Sequence, residues 1–168
     1  SRAEAKRNGH PPVSLQGLRR AAFQWVSEFG FPTATDEAWK YTRVTRILEI
    51  PFEPAQPVES DASRRLSSRA IDQLAGDLGG ARLVFVNGYY APHLSSLKEL
   101  PDGATVRSLA AAIAEEGESL EPLLSRPFRE HPHAFTALNA ALSEDGALIQ
   151  IPAHTVVEDP IHLSLIHI

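Results

Sequence analysis

The stretch that decides the fold is residues 134–163, AFTALNAALSEDGALIQIPAHTVVEDPIHL, because the spacing of its apolar residues changes partway along it. Phe135, Leu138 and Leu142 recur at intervals of three and four, which predicts an α-helix with one apolar face. Asp145-Gly146 then predicts the end of that helix or a turn, since glycine tolerates a positive φ. The first half of the stretch is therefore expected to be helical.

The second half of the stretch contains three short β-prone runs separated by turn residues. The first run ends at Pro152, and the second is Thr155–Val157. In the first run, Ala147, Ile149 and Ile151 alternate with Leu148 and Gln150. In the third run, Ile161, Leu163 and Leu165 alternate with His162 and Ser164. Alternation of this kind places the two sets of side chains on opposite faces of a strand, so the runs predict the first coil of a sheet wound on itself.

A single coil cannot bury its own apolar face, because the next coil has to cover it. We therefore expect residues 146–168 to begin a β-helix core, and the chain to be the front part of a longer protein. The 168 residues alone are expected to associate or to be poorly soluble through four uncovered residues: Ile149, Ile151, Ile161 and Leu163. Residues 164–168 also resemble translated sequencing-adapter sequence, so the prediction for the fold ends at Leu163.

Composition and charge exclude several classes of protein. Of the 168 residues, 43% are hydrophobic and 22% are charged, which is ordinary for a globular protein. A formal net charge of −5 disfavours a nucleic-acid surface, which needs a basic stripe. Without cysteine, these residues have no disulfide, no thiolate nucleophile and no cysteine ligand for zinc or an iron–sulfur cluster. No apolar run reaches the ~20 residues that a membrane helix needs.

The residues before the deciding stretch predict an N-terminal lobe over residues 15–145. Residues 1–14 are polar and are expected to be a frayed terminus, with Ser14 capping a helix that Gly30 ends. The apolar face of this helix comprises Leu15, Leu18, Ala22, Val26 and Phe29, with Trp25 beside it. Residues 47–63 contain three prolines and predict a loop, and residues 67–78 predict a second amphipathic helix.

Asn87-Gly88 is the strongest hairpin signal in the chain. The apolar run Leu83–Val86 predicts the strand before it, and Tyr89–Leu97 predicts the returning strand, weakened by Pro92. Thr105–Arg107 predicts a further strand, after which Ser108 can cap a helix through Ile113. The predicted fold class of the lobe is therefore α+β, with helices and a small antiparallel sheet.

Residues 30–44, GFPTATDEAWKYTRV, form the most distinctive string. Thr33 or Thr35 is expected to cap a short helix whose first turn holds Asp36 and Glu37. Trp39, Lys40 and Tyr41 permit two interpretations: a stacking platform with a cation, or aromatic residues that anchor the short helix on the domain. The second is favoured, because aromatic side chains usually contribute to burial.

Four stretches within residues 15–163 match one family pattern in order. The first has the form G-x-P-T followed by E-x-W-K-Y-T and comprises Gly30, Pro32, Thr33, Glu37, Trp39, Lys40, Tyr41 and Thr42. The others are Arg82–Gly88 with its Asn87-Gly88 turn, Phe135–Ile151 with Leu138, Asn139 and Gly146, and Pro160–Leu163. Together they resemble SufD, a family of the SUF iron–sulfur cluster assembly system. The related SufB family shares the later pattern but not the W-K-Y-T string.

The resemblance implies a fold, a set of partners and a role. SufD proteins have an N-terminal helical region, a central right-handed parallel β-helix and a C-terminal helical region. They are cytoplasmic and form the SufBCD complex with SufB and the ABC-type ATPase SufC, a scaffold on which iron–sulfur clusters are built. The contacts with SufB and SufC would lie beyond residue 168. The present residues are therefore expected to be a structural, non-catalytic cap with no catalytic, cofactor-binding or metal-binding residue, while the full complex handles iron or the cluster.

The remaining polar candidates are better explained by structural roles. His131 and His133 could chelate a metal, but the intervening Pro132 and the lack of a further ligand favour the start of a helix. Asn139 lies beside an apolar helix face, so we expect a buried amide that fixes the helix against the first strands. His154 and His162 are expected to be exposed. A solvated face is expected from Glu115, Glu116, Glu118 and Glu121.

Two other classes of function stay open. A β-solenoid carbohydrate-active enzyme would carry its groove on coils beyond Ile168 and would need acidic and aromatic residues on one outward strand face. Only Gln150, His162 and Ser164 occupy that face here. A protein-interaction module would use Trp39 and Tyr41 as anchors. The sequence contains no Ser–His–Asp grouping, phosphate-binding glycine loop or nucleophile elbow, which disfavours an enzyme.

Overall fold

The structure, a computed structural model, describes residues 13–57, 73 and 79–167, without the side chains of residues 13 and 14. Two compact units divide the chain: unit 1 is Ser1–Pro54 with Ile113–Ser143, and unit 2 is Ala55–Ala112 with Glu144–Ile168. The helices are α1 (Val13–Phe29), α2 (Thr45–Leu48), α3 (Leu109–Glu130) and α4 (Ala134–Leu142), with 3₁₀ turns at Glu37–Trp39 and Pro92–Leu94. The strands are β1 (Arg82–Val86), β2 (Tyr89–Tyr90), β3 (Thr105–Ser108), β4 (Ala147–Gln150) and β5 (His162–Ile166).

Unit 1 is organised by the packing of α1 against α4. Ala22 of α1 and Ala137 and Ala141 of α4 are all 0% exposed, and their small side chains let the two helices approach closely. Larger side chains surround this contact: Phe23, Trp25, Val26 and Phe128. Arg19 on α1 also donates a hydrogen bond of 2.6 Å to the carbonyl of Ser143, just after α4.

The prediction for α1 is largely confirmed. Gly30 ends the helix with φ +68°, and its N–H donates to the carbonyl of Val26 at 2.9 Å. Ser14 lies inside the helix rather than before it, and Phe29 is 62% exposed, so neither has its predicted role.

The prediction for α4 places its buried face one residue off. Phe135, Leu138 and Leu142 were expected to be buried, but the fully buried residues are Ala134, Ala137 and Ala141. Leu142 is 41% exposed. The spacing is that of a helix in both cases, and close approach to α1 selects the alanine face because larger side chains would hold the two helices apart.

The described residues of unit 2 form two small sheets. The first has the order β2-β1-β5, and the second pairs β3 with β4. Strands β1 and β2 form the predicted hairpin, in which Asn87 and Gly88 have φ values of +51° and +87°, as a two-residue turn of type I′ requires. Strands β3 and β4 are antiparallel, but β1 and β5 run parallel, with Leu83 opposite Leu163 and Phe85 opposite Leu165.

Strand β1 lies at the centre of the apolar core of unit 2. One of its faces, Leu83 and Phe85, packs with Val106 of β3 and joins the two sheets into a small sandwich. The other face, Val84 and Val86, packs with Ala91 and Leu94 around the second 3₁₀ turn. Burial on both faces explains the unbroken apolar run of β1.

The second half of the deciding stretch forms two strands rather than three. β4 and β5 are present, but Thr155–Val157 is not a strand, and His154 lies in a turn with φ +63°. β4 pairs with β3 and β5 pairs with β1, so both strands join elements that precede them in the chain. The predicted boundary between residues 145 and 146 therefore differs from the division into units, which puts residues 144–168 together with residues 55–112.

Several predictions for residues 45–130 need adjustment. The returning strand of the hairpin stops at Tyr90, because Pro92 begins a 3₁₀ turn. The helix that Ser108 caps continues to Glu130, with a kink at Glu116 where φ is −140°. Residues 47 and 48 of the predicted loop belong to α2. The predicted terminus over residues 1–14 and the helix over residues 67–78 lie outside the described residues, except residues 13, 14 and 73.

Candidate functional site

The aromatic turn, residues 30–42, is held on α4 of unit 1 by ring contacts. The ring of Trp39 lies 5.3 Å from that of Phe135 and 5.9 Å from that of His133, measured between centroids. Phe31 packs edge-on against the same Phe135 at 5.9 Å. The anchoring interpretation is therefore confirmed for Trp39.

The polar residues of the aromatic turn are arranged differently from the prediction. Asp36, not a threonine, precedes the 3₁₀ turn Glu37–Trp39. Its carboxylate accepts hydrogen bonds from the N–H of Thr33 at 2.6 Å and from the Thr33 hydroxyl at 3.1 Å. Asp36 thus fixes the bend that follows Pro32, because its carboxylate binds the preceding Thr33. The prediction had a threonine side chain capping the helix that follows it.

The end of the aromatic turn points into solvent. Tyr41 is 90% exposed, and the Nζ of Lys40 lies 5.6 Å from the centroid of its ring and 3.9 Å from Glu37. The anchoring interpretation is therefore wrong for Tyr41. Thr42 is also exposed, and its N–H donates to the carbonyl of Trp39 at 2.8 Å.

His133 begins α4, as the His131-Pro132-His133 string predicts. Its Nδ1 accepts from the N–H of Thr136 at 3.4 Å, and its own N–H donates to the Thr136 hydroxyl at 3.1 Å. This reciprocal pair is a capping box in which histidine replaces the usual serine or threonine. His131 is exposed. Within residues 13–57, 73 and 79–167, no group of three or more His, Cys, Asp or Glu side chains could hold a metal ion.

The other site predictions on α3, α4 and β5 have mixed outcomes. Leu138 is half-buried, but Asn139 is exposed, so the expected buried amide is wrong; the alanine face of α4 turns it outward. His154 is exposed as predicted, whereas His162 is partly buried; it lies beside Arg82 of β1, on the same face of β5 as Ile166. Glu115 and Glu118 are exposed, Glu116 is partly buried at the kink, and Glu121 pairs with Arg129 at 3.1 Å.

Asp145, predicted only as part of a helix end or turn, is the hydrogen-bond hub of unit 2. Its carboxylate accepts from the N–H of Tyr90 at 2.9 Å, the hydroxyl of Ser108 at 2.8 Å, the N–H of Ala110 at 3.0 Å and the N–H of Gly146 at 2.8 Å. One side chain thereby ties β2, β3 and the start of α3 to the start of β4. The helix ends at Leu142, and Gly146 does not have a positive φ, so Gly146 does not end the helix in the predicted way. Asp145 links the surrounding elements through its carboxylate. An aspartate next to glycine looks like an ordinary turn in the sequence, which is why the hub is not predicted.

Pro160 and two glycines shape the approach of β5 to β1. Gly79 and Gly80 have φ values of +67° and +63°. A Cβ atom on Gly80 would collide with the carbonyl oxygen of Pro160 and lie 3.1 Å from Cβ of Asp159. Glycine at position 80 therefore allows the backbone contact that sets up the hydrogen bond of 2.8 Å from His162 to Ala81.

The open side of the sandwich of unit 2 is defined by the apolar residues of edge strands β4 and β5 that no described residue covers. Leu163 and Leu165 pair with the buried Leu83 and Phe85, so they lie on the core face of the sheet, yet they are 45% and 70% exposed. Ile149 pairs with the buried Val106 and is 38% exposed. Ile151, one residue beyond β4, is 47% exposed. Apolar residues in register with the core of the sandwich are therefore exposed on these two strands.

The described helices include none with the length and apolar character that crossing a membrane requires.

Comparison with known proteins matches this chain to one family. The family model described as the SufBD protein N-terminal region matches residues 2–163. An iron–sulfur cluster assembly SufBD family protein of Synechocystis sp. is 29% identical over 160 residues, which is 95% of this chain and 34% of that protein. The iron–sulfur cluster assembly protein SufD of Escherichia coli K12 is 29% identical over 102 residues, which is 58% of this chain and 22% of that protein. The chain thus spans about a third of the length of the first relative and about a fifth of the second.

Proposed function

This chain belongs to the SufBD family of iron–sulfur cluster assembly proteins, and we propose that it is the N-terminal part of a SufD-like scaffold subunit. In this proposal the subunit works in a SufBCD-type complex with a SufB-like protein and a SufC-like ABC-type ATPase. The present residues are a structural, non-catalytic cap, and the assembled complex handles the iron or the cluster.

The open side of the sandwich is the observation that carries the proposal. Ile149, Leu163 and Leu165 are apolar residues on edge strands that no described residue covers. Exposed apolar residues of this kind are expected where further strands extend the sheet. The parallel pairing of β1 with β5 suits a wound parallel sheet, in which each coil lies in register on the one before it. We propose that further strands of a longer protein cover this side and that they form a right-handed parallel β-helix.

The capping role follows from the placement of β1. Its two faces are buried by β3 and by the second 3₁₀ turn, and its hairpin partner β2 covers its outer edge. This edge of the first coil is therefore protected from pairing with other sheets, while the edge of β5 stays available to the next coil. The lobe thus stabilises the start of the proposed β-helix and requires no catalytic residue to do so.

Co-purification of the full-length protein tests the proposal. The full-length protein is expressed together with SufB-like and SufC-like subunits from the same source, and one subunit carries the affinity tag. We expect a stable complex with ATPase activity and with the ability to carry an iron–sulfur cluster after reconstitution. A full-length protein that purifies alone and cleaves a polysaccharide would instead support the carbohydrate-active alternative.

A further inference from the structure

The apolar turn, residues 43–52 of unit 1, exposes large apolar side chains that no residue in the described part of the chain covers. Within it only Val44 is buried, and every residue from 45 to 57 is exposed. The turn is nevertheless ordered locally: the N–H of Ile50 donates to the carbonyl of Ile47 at 3.2 Å, and that of Phe52 to the carbonyl of Ile50 at 2.9 Å. Its exposed apolar residues are Ile47 at 43%, Leu48 at 48%, Ile50 at 51% and Phe52 at 69%. A concentration of this kind marks a contact surface more often than a free one.

The apolar turn also carries positive charge. Arg43 and Arg46 are exposed, and neither forms an ion pair with a residue in the described part of the chain. Glu49 is the single acidic residue between positions 43 and 52. An apolar centre with a cationic rim is complementary to an apolar cleft with an anionic rim.

Unit 2 presents such a cleft, the acidic cleft, with a volume of about 410 Å³. Its apolar lining includes Leu100, Val156 and Val157, and Val156 is 75% exposed. Its rim carries the carboxylates of Glu99, Glu158 and Asp159. All three residues are exposed, and none forms an ion pair with a cation in the described ranges. The cleft therefore combines an apolar lining with a negatively charged rim, which is complementary to the apolar side chains and the positive charge of the apolar turn.

We propose that the apolar turn of one copy of this chain docks in the acidic cleft of a second copy. The aliphatic side chains of the turn enter the cleft, while Arg43 and Arg46 face the rim carboxylates. Because the two surfaces differ, the contact is heterologous. A pair of copies leaves one turn and one cleft free, so further copies can add head to tail. This contact does not depend on the proposed role in cluster assembly.

A complementation experiment with two variants tests the contact. The turn variant Arg43→Glu/Arg46→Glu keeps its cleft, and the cleft variant Glu99→Lys/Glu158→Lys keeps its turn. Sedimentation velocity then measures each variant alone, an equimolar mixture of both, and the unmodified chain. We expect the association constant of each variant alone to fall at least about tenfold, because like charges meet at the rim. The mixture should regain association, since the intact turn of the cleft variant meets the intact cleft of the turn variant, and the two charge-reversed surfaces are also complementary.

Two further measurements separate this contact from association through other surfaces. Arg20→Glu/Arg126→Glu makes the same change of charge on α1 and α3 and should associate as the unmodified chain does. Raising the salt from about 50 mM to about 500 mM should weaken the contact, because the charges are screened. The proposal is overturned if the mixture associates no more strongly than either variant alone. It is also overturned if the unmodified chain stays monomeric, or if its association survives both the charge reversals and the salt.

Discussion

Replacing Asp145 by alanine should lower the free energy of unfolding of unit 2 by about 3 kcal/mol. The carboxylate accepts hydrogen bonds from the Tyr90 N–H, the Ser108 hydroxyl and the Ala110 N–H, which belong to three different elements. A hydrogen bond to a charged group contributes roughly 1.5–3 kcal/mol, so three of them at the low end give about 4.5 kcal/mol. Asp145 is only partly buried, and water can satisfy part of each orphaned donor, which reduces the expected loss.

Asp145→Asn should be milder, with a loss of about 1.5 kcal/mol. One side-chain oxygen remains to accept from Ser108 and Ala110. The new amide group, however, faces the N–H of Tyr90, where two donors meet. The three side chains at position 145 should therefore rank as Asp, Asn, Ala in order of decreasing stability.

Urea denaturation followed by far-UV circular dichroism gives the free energies, and amide hydrogen exchange at Tyr90 and Ala110 localises the effect. Asp102→Ala is the matched control, because Asp102 is an exposed turn residue for which a change within about 0.5 kcal/mol is expected. A loss at Asp145→Ala no larger than that of the control, with unchanged exchange at Tyr90 and Ala110, would refute the hub.

Three further predictions concern single positions. Gly80→Ala should destabilise unit 2 by at least about 2 kcal/mol, because position 80 has a positive φ and a Cβ there collides with Pro160. Gly17→Ala should instead stabilise α1 by about 0.5–1 kcal/mol, because a Cβ at position 17 meets nothing within 4 Å. Thermal melts compare the two variants. Trp39→Ala should lower the free energy of unfolding in urea by about 2 kcal/mol, because Trp39 loses its packing on Phe135 and His133. Tyr41→Ala should change it by less than about 0.5 kcal/mol, because Tyr41 is exposed. Equal losses would contradict the assignment of Trp39 as the anchor. His133→Ala should cost about 1 kcal/mol and His133→Asn less, because asparagine keeps an acceptor for the Thr136 N–H; equal melting temperatures for both variants would show that the cap contributes nothing.

Elements with a strong local signal are predictable from this sequence. Gly30 ends α1 and Asn87-Gly88 makes the hairpin, because in both places the backbone needs a positive φ that the local residues supply. The periodicity of residues 134–142 and 147–150 likewise gives a helix and a strand where they are found. The family pattern is also readable, since four short motifs occur in the family's order.

Features that depend on distant partners are not predictable from the local pattern. The buried face of α4 is its alanine face because α1 packs closely there, although the helical period allows the leucine face equally. Leu163 and Leu165 lie on the core face of their sheet, but they are exposed because nothing in the described part of the chain covers that edge. Asp145 becomes a hub only through residues that are 35 to 55 positions away.

Amide hydrogen exchange at β5 tests most directly whether the open side of the sandwich is covered by further strands. The N–H of His162 bonds to β1, and in a parallel ladder alternate residues face the same neighbour, so the N–H groups of Leu163 and Leu165 point to the free edge. In the 168-residue chain these two amides should exchange quickly, while those of His162 and Ser164 are protected. In the full-length protein, Leu163 and Leu165 should become as protected as their neighbours. Fast exchange at both positions in the full-length protein would contradict the continued sheet.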